Sequence, residues 1–165
     1  MDDAREPHGT SQVSKRILIV DDHPVVRTGL AQFINQQPDL VVCAEAGNAQ
    51  QALEAAEKQQ FDLAVVDMLL ENTTGIQVTK DFKLRCPGLQ VLILSMSDER
   101  YYIKGAFQAG ARGYITKEEV ADEIINAIHQ LLDGKIYLSG RVALKFTRKM
   151  LKRILAGDFD DSVWE

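Results

Sequence analysis

Three aspartates and one lysine stand at the ends of short apolar runs in this 165-residue chain. Asp21 and Asp22 follow Arg16-Ile17-Leu18-Ile19-Val20. Asp67 closes Phe61-Asp62-Leu63-Ala64-Val65-Val66, and Lys117 follows Arg112-Gly113-Tyr114-Ile115-Thr116. If those runs are neighbouring parallel strands, their C-terminal ends converge on a pocket with clustered carboxylates and one fixed cation. Mg2+ commonly takes one or two carboxylates together with water and phosphate oxygens. Carboxylates packed this closely repel one another until a cation binds. The chemistry such a pocket suits is that of Mg2+ and a phosphoryl group.

Taken singly, each residue has a plainer reading. An Asp-Asp pair often serves a turn or a helix cap. Asp67 alone reads as a loop acid and Lys117 as a solvated lysine at a helix start. Ser95 ends a fourth apolar run, where its hydroxyl could meet a phosphoryl oxygen or cap the next helix. Tyr114 reads as core packing, or as a ring against the fourth helix. His23 reads as a loop residue and His129 as a helix-surface residue. The recurrence of acids and a cation at strand ends favours a site, because ligands of open α/β sheets collect there.

Short apolar strands alternate with helical patterns from Arg16 onward, the mark of βαβ units around a parallel sheet. The predicted strands are 16–20, 40–45, 63–67, 90–95 and 112–116. Pro24 fits the first turn of helix one, whose inner face is Val26, Leu30, Phe33 and Ile34. Asn48 is the expected cap of helix two, with Ala49, Ala52, Leu53 and Ala56 inward. A loop over Glu71–Gly75 leads into helix three, which Pro87-Gly88 stops. Ser97 or Asp98 is expected to cap helix four, and Gly110 to end it. Thr116 and Glu119 have capping-box spacing for helix five, which Gly134 closes. That helix carries two apolar stripes, Ile124/Ile128/Leu131 and Ala121/Ile125/Leu132. One stripe covers a sheet; the second is expected to meet another chain or the C-terminal segment, or to reflect deep burial.

An apolar content of 45% is ordinary for a chain with a real core. A net charge of −5 leaves no broad basic field for nucleic acid. Two cysteines, Cys43 and Cys86, point to reduced thiols rather than a disulfide scaffold. Residues 1–15 read as a disordered polar lead-in without a signal peptide. No run reaches the ~20 apolar residues of a membrane span, so a cytoplasmic protein without membrane contact is the expectation. Residues 16–134 form the expected domain. Residues 135–165 form a linker helix and tail. Arg141, Lys145, Arg148, Lys149, Lys152 and Arg153 there lack acids among them, with Ala143, Phe146, Met150 and Ile154 at helical spacing. A linker or dimer helix is favoured over a nucleic-acid arm. Residues 157–165 read as a flexible acidic end.

Four segments carry a family resemblance. They are Ile19-Val20-Asp21-Asp22-His23-Pro24-Val25-Val26-Arg27, Asp67 with Gly75 eight positions on, Leu94-Ser95-Met96-Ser97, and Gly110-Ala111-Arg112-Gly113-Tyr114-Ile115-Thr116-Lys117. In this order and spacing they resemble the response regulator receiver domain of two-component signalling, in its NarL/FixJ class. The resemblance implies a flavodoxin-like (βα)5 doubly wound parallel sheet of order 2-1-3-4-5. It implies that Asp67 accepts a phosphoryl group from a sensor histidine kinase. Mg2+ would be held by Asp21, Asp22, Asp67 and the backbone carbonyl of Leu69. Ser95 and Tyr114 would be the switch residues and Lys117 the phosphate-binding cation. Only self-phosphorylation and autodephosphorylation are then expected, with no turnover enzyme. A homodimer through helix five or the C-terminal helix is expected, and DNA contact only through a helix-turn-helix domain that these residues do not supply. Glu71 and Glu118 stand where the family often has proline, implying a looser, more acidic loop after Asp67 and a less secure cis peptide after Lys117.

Three other classes compete for the same residues. A haloacid-dehalogenase-type phosphatase needs a second acid two positions after its nucleophile, where this chain has Leu69. A flavodoxin would carry Ser, Thr and Gly after strand one, where this chain has Asp21-Asp22-His23-Pro24. A phosphorylation-independent interaction module of the same fold remains the alternative; the complete set Asp21, Asp22, Asp67, Ser95 and Lys117 weighs against it.

Overall fold

The computed structural model describes residues 13–165, so most of the expected lead-in lies outside the described residues. The elements are β1 (Lys15–Val20), α1 (Pro24–Asn35), β2 (Leu40–Ala46), α2 (Ala49–Lys58), β3 (Leu63–Asp67), β4 (Leu69–Leu70), β5 (Thr73–Thr74) and α3 (Gly75–Arg85). They continue with β6 (Gln90–Ser95), α4 (Arg100–Ala109), β7 (Gly113–Thr116), a 3-10 turn at Lys117–Glu119, and α5 (Val120–Leu132). The C-terminal part holds β8 (Tyr137–Leu138), α6 (Gly140–Ala143), α7 (Arg148–Leu155) and a second 3-10 turn at Asp161–Trp164.

The main sheet runs β2-β1-β3-β6-β7-β8 with every pairing parallel. Its first five strands are the expected 2-1-3-4-5 order; β8 adds a sixth. Strand side chains alternate between two apolar layers, as a sheet covered on both faces requires. Leu18, Val20, Ala64, Val66, Val91, Ile93 and Tyr114 meet Phe82, Ile103 and Phe107 on one side. Ile17, Ile19, Leu63, Val65, Leu92, Leu94 and Ile115 meet Leu30, Ile34, Ile124, Ile128 and Leu131 on the other. Every one of these side chains is buried. Asn48 caps α2 as expected, accepting from the Gln51 amide. Gly110 ends α4 in the left-handed region at φ 114°.

Several expectations are corrected. Phe33 is exposed, because Leu30 and Ile34 already fill the α1 seam and Phe33 falls on its flank. Neither Ser97 nor Asp98 caps α4; its N-cap is Glu99 without a side-chain bond. The Ser95 hydroxyl instead accepts from the Ser97 amide, and the Ser97 hydroxyl from the Glu99 amide, stepping the chain out of β6. Thr116 bonds the Glu119 carboxylate, but as the lead into a 3-10 turn rather than as the cap of α5. The loop after Asp67 is a small antiparallel hairpin, Leu69–Leu70 against Thr73–Thr74, turning at Glu71 and Asn72. Asn72 takes φ 65°, a conformation Asn tolerates better than most side chains. A ladder therefore supplies rigidity that proline does not. The Lys117–Glu118 peptide is trans, and Glu118 pairs with Arg141.

The C-terminal segment departs most. One linker helix was expected; two helices form, because Phe146 turns into the core and the Thr147 hydroxyl caps a fresh start for α7. The acidic end is packed rather than free. Val163 is buried, Phe159 stacks on Phe107, and Trp164 meets Phe146 edge-on. This segment covers the layer of α4, not the second stripe of α5, where Ala121 is exposed and Ile125 and Leu132 are half-buried. Among the described residues, no helix is long and apolar enough to cross a membrane.

Candidate functional site

The parallel register brings the expected residues together. Val20 pairs with Val66, Asp67 with Leu94, and Ser95 with Thr116. Asp21, Asp67, Ser95 and Lys117 thus emerge from four strand ends at one edge of the sheet. Asp21 and Asp67 are buried, at 1% and 4% exposure. Lys117 donates to Asp67 Oδ2 at 3.0 Å, and its Nζ lies 3.7 Å from Asp21 Oδ2. One ammonium therefore spans two carboxylates.

Burial comes first among the causes that push the Asp67 carboxyl above its ordinary range; the Asp21 charge pushes the same way, while Lys117 and the Leu69 amide oppose them. Asp21 Oδ2 and Asp22 Oδ1 are buried and accept no well-aligned hydrogen bond among the described residues; their near neighbours are Lys117 Nζ at 3.7 Å and His23 Nδ1 at 2.9 Å. Unsatisfied buried carboxylate oxygens are expensive. Two of them facing one concavity fit a hard divalent cation, so these residues suit Mg2+. Ligand atoms of Asp21, Asp22, His23 and Asp67 all lie within 4.8 Å of one another.

Three supporting residues were not given roles from the sequence. His23 Nδ1 sits 3.1 Å from Asp21 Oδ1 and 2.9 Å from Asp22 Oδ1, so it belongs to the cluster rather than to a neutral loop. Its position next to the Asp pair was the available signal. Arg27 donates to the Asp21 carbonyl at 2.6 Å and fixes the turn after β1. Gly75 lets α3 begin against the end of β3, where a Cβ would stand 2.5 Å from the Asp67 carbonyl oxygen. No side-chain pattern announces such a backbone approach.

Ser95 is buried at the end of β6, and Leu69 is exposed two residues after Asp67. Tyr114 is fully buried and donates to the Ser97 carbonyl at 2.7 Å. Burial pushes its hydroxyl up to about 12, so it remains protonated at neutral pH. The Tyr114 ring thus reports on the same loop that Ser95 anchors.

A family model described as the response regulator receiver domain matches residues 17–129. Among similar curated proteins, the nitrate/nitrite response regulator protein NarL of Escherichia coli is 31% identical over 130 residues, 79% of this chain and 60% of that protein. The transcriptional regulatory protein DegU of Brevibacillus brevis is 29% identical over 147 residues, 89% of this chain and 62% of that protein. The crystal structure of a LuxR-family two-component response regulator from an Aurantimonas species matches with a TM-score of 0.77 and 34% identity, over 79% of this chain and 94% of that one. The chain spans about three-fifths of the length of these two curated relatives.

Proposed function

This chain belongs to the response regulator receiver family of two-component signalling, in its NarL/FixJ class, and from that membership we propose that Asp67 accepts a phosphoryl group from a sensor histidine kinase in a Mg2+-dependent reaction. The observation that carries this reading is the buried Asp67 carboxylate, bonded by Lys117 and clustered with the Asp21 and Asp22 carboxylates.

A carboxylate oxygen of Asp67 forms the new O–P bond while the N–P bond to the kinase imidazole breaks, leaving its electron pair on the imidazole nitrogen. The transition state is loose and spreads charge over the equatorial oxygens, so positioning and electrostatics dominate. Lys117 turns from Asp67 towards the incoming oxygens. Asp21, Asp22, Asp67 and the Leu69 carbonyl would hold Mg2+, which when bound would supply positive charge to offset that of the phosphoryl oxygens. Arg27 keeps the Asp21 backbone in place. The aspartyl phosphate later hydrolyses; the chain acts on itself alone and is no turnover enzyme.

The phosphoryl group adds roughly −1.5 to −2 charge and new acceptor oxygens. Ser95 exchanges its bond to the Ser97 amide for one to a phosphoryl oxygen. The Ser97 carbonyl shifts with it and releases Tyr114. This is a shift between two populations. Its outputs are a homodimer and, through the DNA-binding output domain that the family resemblance implies, control of transcription.

The test is labelling by acetyl phosphate with Mg2+, read as a mass increase of the intact chain. Asp67→Asn should remove it. Undiminished labelling would take Asp67 out of the role.

A further inference from the structure

Residues 157–165 are acidic, yet they lie against a basic stripe on α4. Arg100, Lys104 and Gln108 are spaced by four and so share one helical face. Arg100 donates to the Trp164 carbonyl at 3.0 Å, Lys104 pairs with Asp161 at 2.9 Å, and Gln108 donates to Asp161 at 3.0 Å and to the Phe159 carbonyl at 3.3 Å. Phe159 stacks on Phe107 with centroids 5.3 Å apart, and the Arg112 guanidinium lies 5.0 Å over the same ring. Trp164 packs on Phe146, which the Arg100 guanidinium also covers. The polar bonds are at the rim and the aromatic contacts are at the centre, which is the anatomy of a peptide-binding interface.

We propose that the α4 face is a docking surface for an acidic segment with aromatic anchors, and that the chain fills it at rest with its own residues 157–165. The chemistry of the occupant is read from those residues: an aromatic anchor, two acids directly after it, and a second aromatic a turn later. A protein partner carrying that pattern competes with the tail for Arg100, Lys104 and Phe107. Tethering gives the tail a roughly millimolar effective concentration, so it excludes weak partners without binding tightly itself. Gly157, with φ 84°, sits where the tail leaves α7 and is the natural hinge. The inference does not rest on the reading of Asp67 as phosphoacceptor.

The probe is a synthetic peptide of residues 157–165, added to the isotope-labelled full chain and followed by amide shifts in α4. In the wild type the peptide should leave residues 100–108 unmoved at concentrations well below the tail's effective concentration. In Phe159→Ala the tail loosens: Trp164, the single tryptophan, should become at least twofold more accessible to acrylamide, and the peptide should shift the α4 amides. Lys104→Glu in that background should weaken the peptide at least tenfold. If Phe159→Ala loses its circular dichroism, Asp161→Lys opens the tail from a solvent-facing position. The proposal is overturned if wild-type Trp164 is as accessible as in the free peptide. It is equally overturned if a scrambled peptide binds as well, or if an opened tail leaves α4 blind to the probe.

Discussion

Lys117 Nζ lies 3.0 Å from Asp67 Oδ2 and 3.7 Å from Asp21 Oδ2, so one ammonium holds two carboxylates that would otherwise repel. Without a divalent cation this ammonium is the main positive charge in the cleft. The cluster of Asp21, Asp22 and Asp67 ligand atoms within 4.8 Å suits a second one.

The first prediction concerns that second charge. Mg2+ should raise the melting temperature of the wild type, because it binds the folded cleft and not the unfolded chain. A hundredfold excess over the dissociation constant stabilises by about 2.7 kcal/mol. Asp21→Ala/Asp22→Ala should abolish the shift. A melting curve that still moves with Mg2+ in the double variant would place the metal elsewhere.

Asp67 sets a pH dependence. Burial raises its carboxyl in the folded chain, so the folded state holds the proton more tightly than the unfolded state. The sign follows by linkage. The contribution is fully present below the ordinary carboxyl value of 3.8 and is lost as pH rises through the folded value. In chelator, Asp67→Asn should therefore gain on the wild type from about pH 4 upward, then level off. Urea midpoints taken across pH 3–8 measure the gap. A gap that is flat over this range contradicts the burial argument.

Gly75→Ala should destabilise by about 1–3 kcal/mol, since the new Cβ meets backbone and not a yielding side chain. It should also slow acetyl phosphate labelling, by displacing the strand end that carries Asp67. Denaturation and labelling rate are read on the same sample. A neutral effect on both would mean α3 shifts freely.

Tyr114→Phe removes the bond to the Ser97 carbonyl and should cost about 1 kcal/mol. Ultraviolet titration offers a companion readout. Tyr114 and Tyr137 are both pushed up to about 12, the latter by burial and then by the Glu123 carboxylate. The variant should lose one late-ionising tyrosine; loss of an early one would contradict its burial.

Phosphorylation should be visible at Trp164. Tyr114 and Asp98 frame the loop before α4, and Lys145 bonds Asp98 at 3.4 Å. Beryllofluoride with Mg2+ should move Trp164 emission to longer wavelength, and Tyr114→Ala should blunt the change. An unchanged spectrum in a chain whose mass confirms phosphorylation by acetyl phosphate would uncouple the tail from the switch.

Much of this was legible in the residues. Continuous apolar runs ending in acids fixed β1 and β3 within a residue, and Asn48 and Gly110 marked helix ends by their side-chain chemistry. The site emerged because several strand ends carried compatible charges. What escaped was set by tertiary pairing. β8 has only Tyr137 and Leu138, and becomes a strand because the edge of β7 offers unpaired backbone groups. The hairpin at Leu69–Thr74 is too short for any alternation to register. The tail was misread from its acids alone; Phe159, Val163 and Trp164 were the signal that it had apolar surface to bury. His23 was discounted because spacing along the chain does not reveal convergence across a turn.

The sixth strand has a mechanical meaning. Leu138 lies in register with Tyr114, and the Ser139 amide is bonded to the Tyr114 carbonyl at 3.1 Å. Whatever is appended after residue 138 is therefore anchored one rung away from the Tyr114 ring, through a rigid ladder instead of a slack tether. A small displacement of β7 would be delivered to that appendage as a change of direction, with little lost to chain slack on the way.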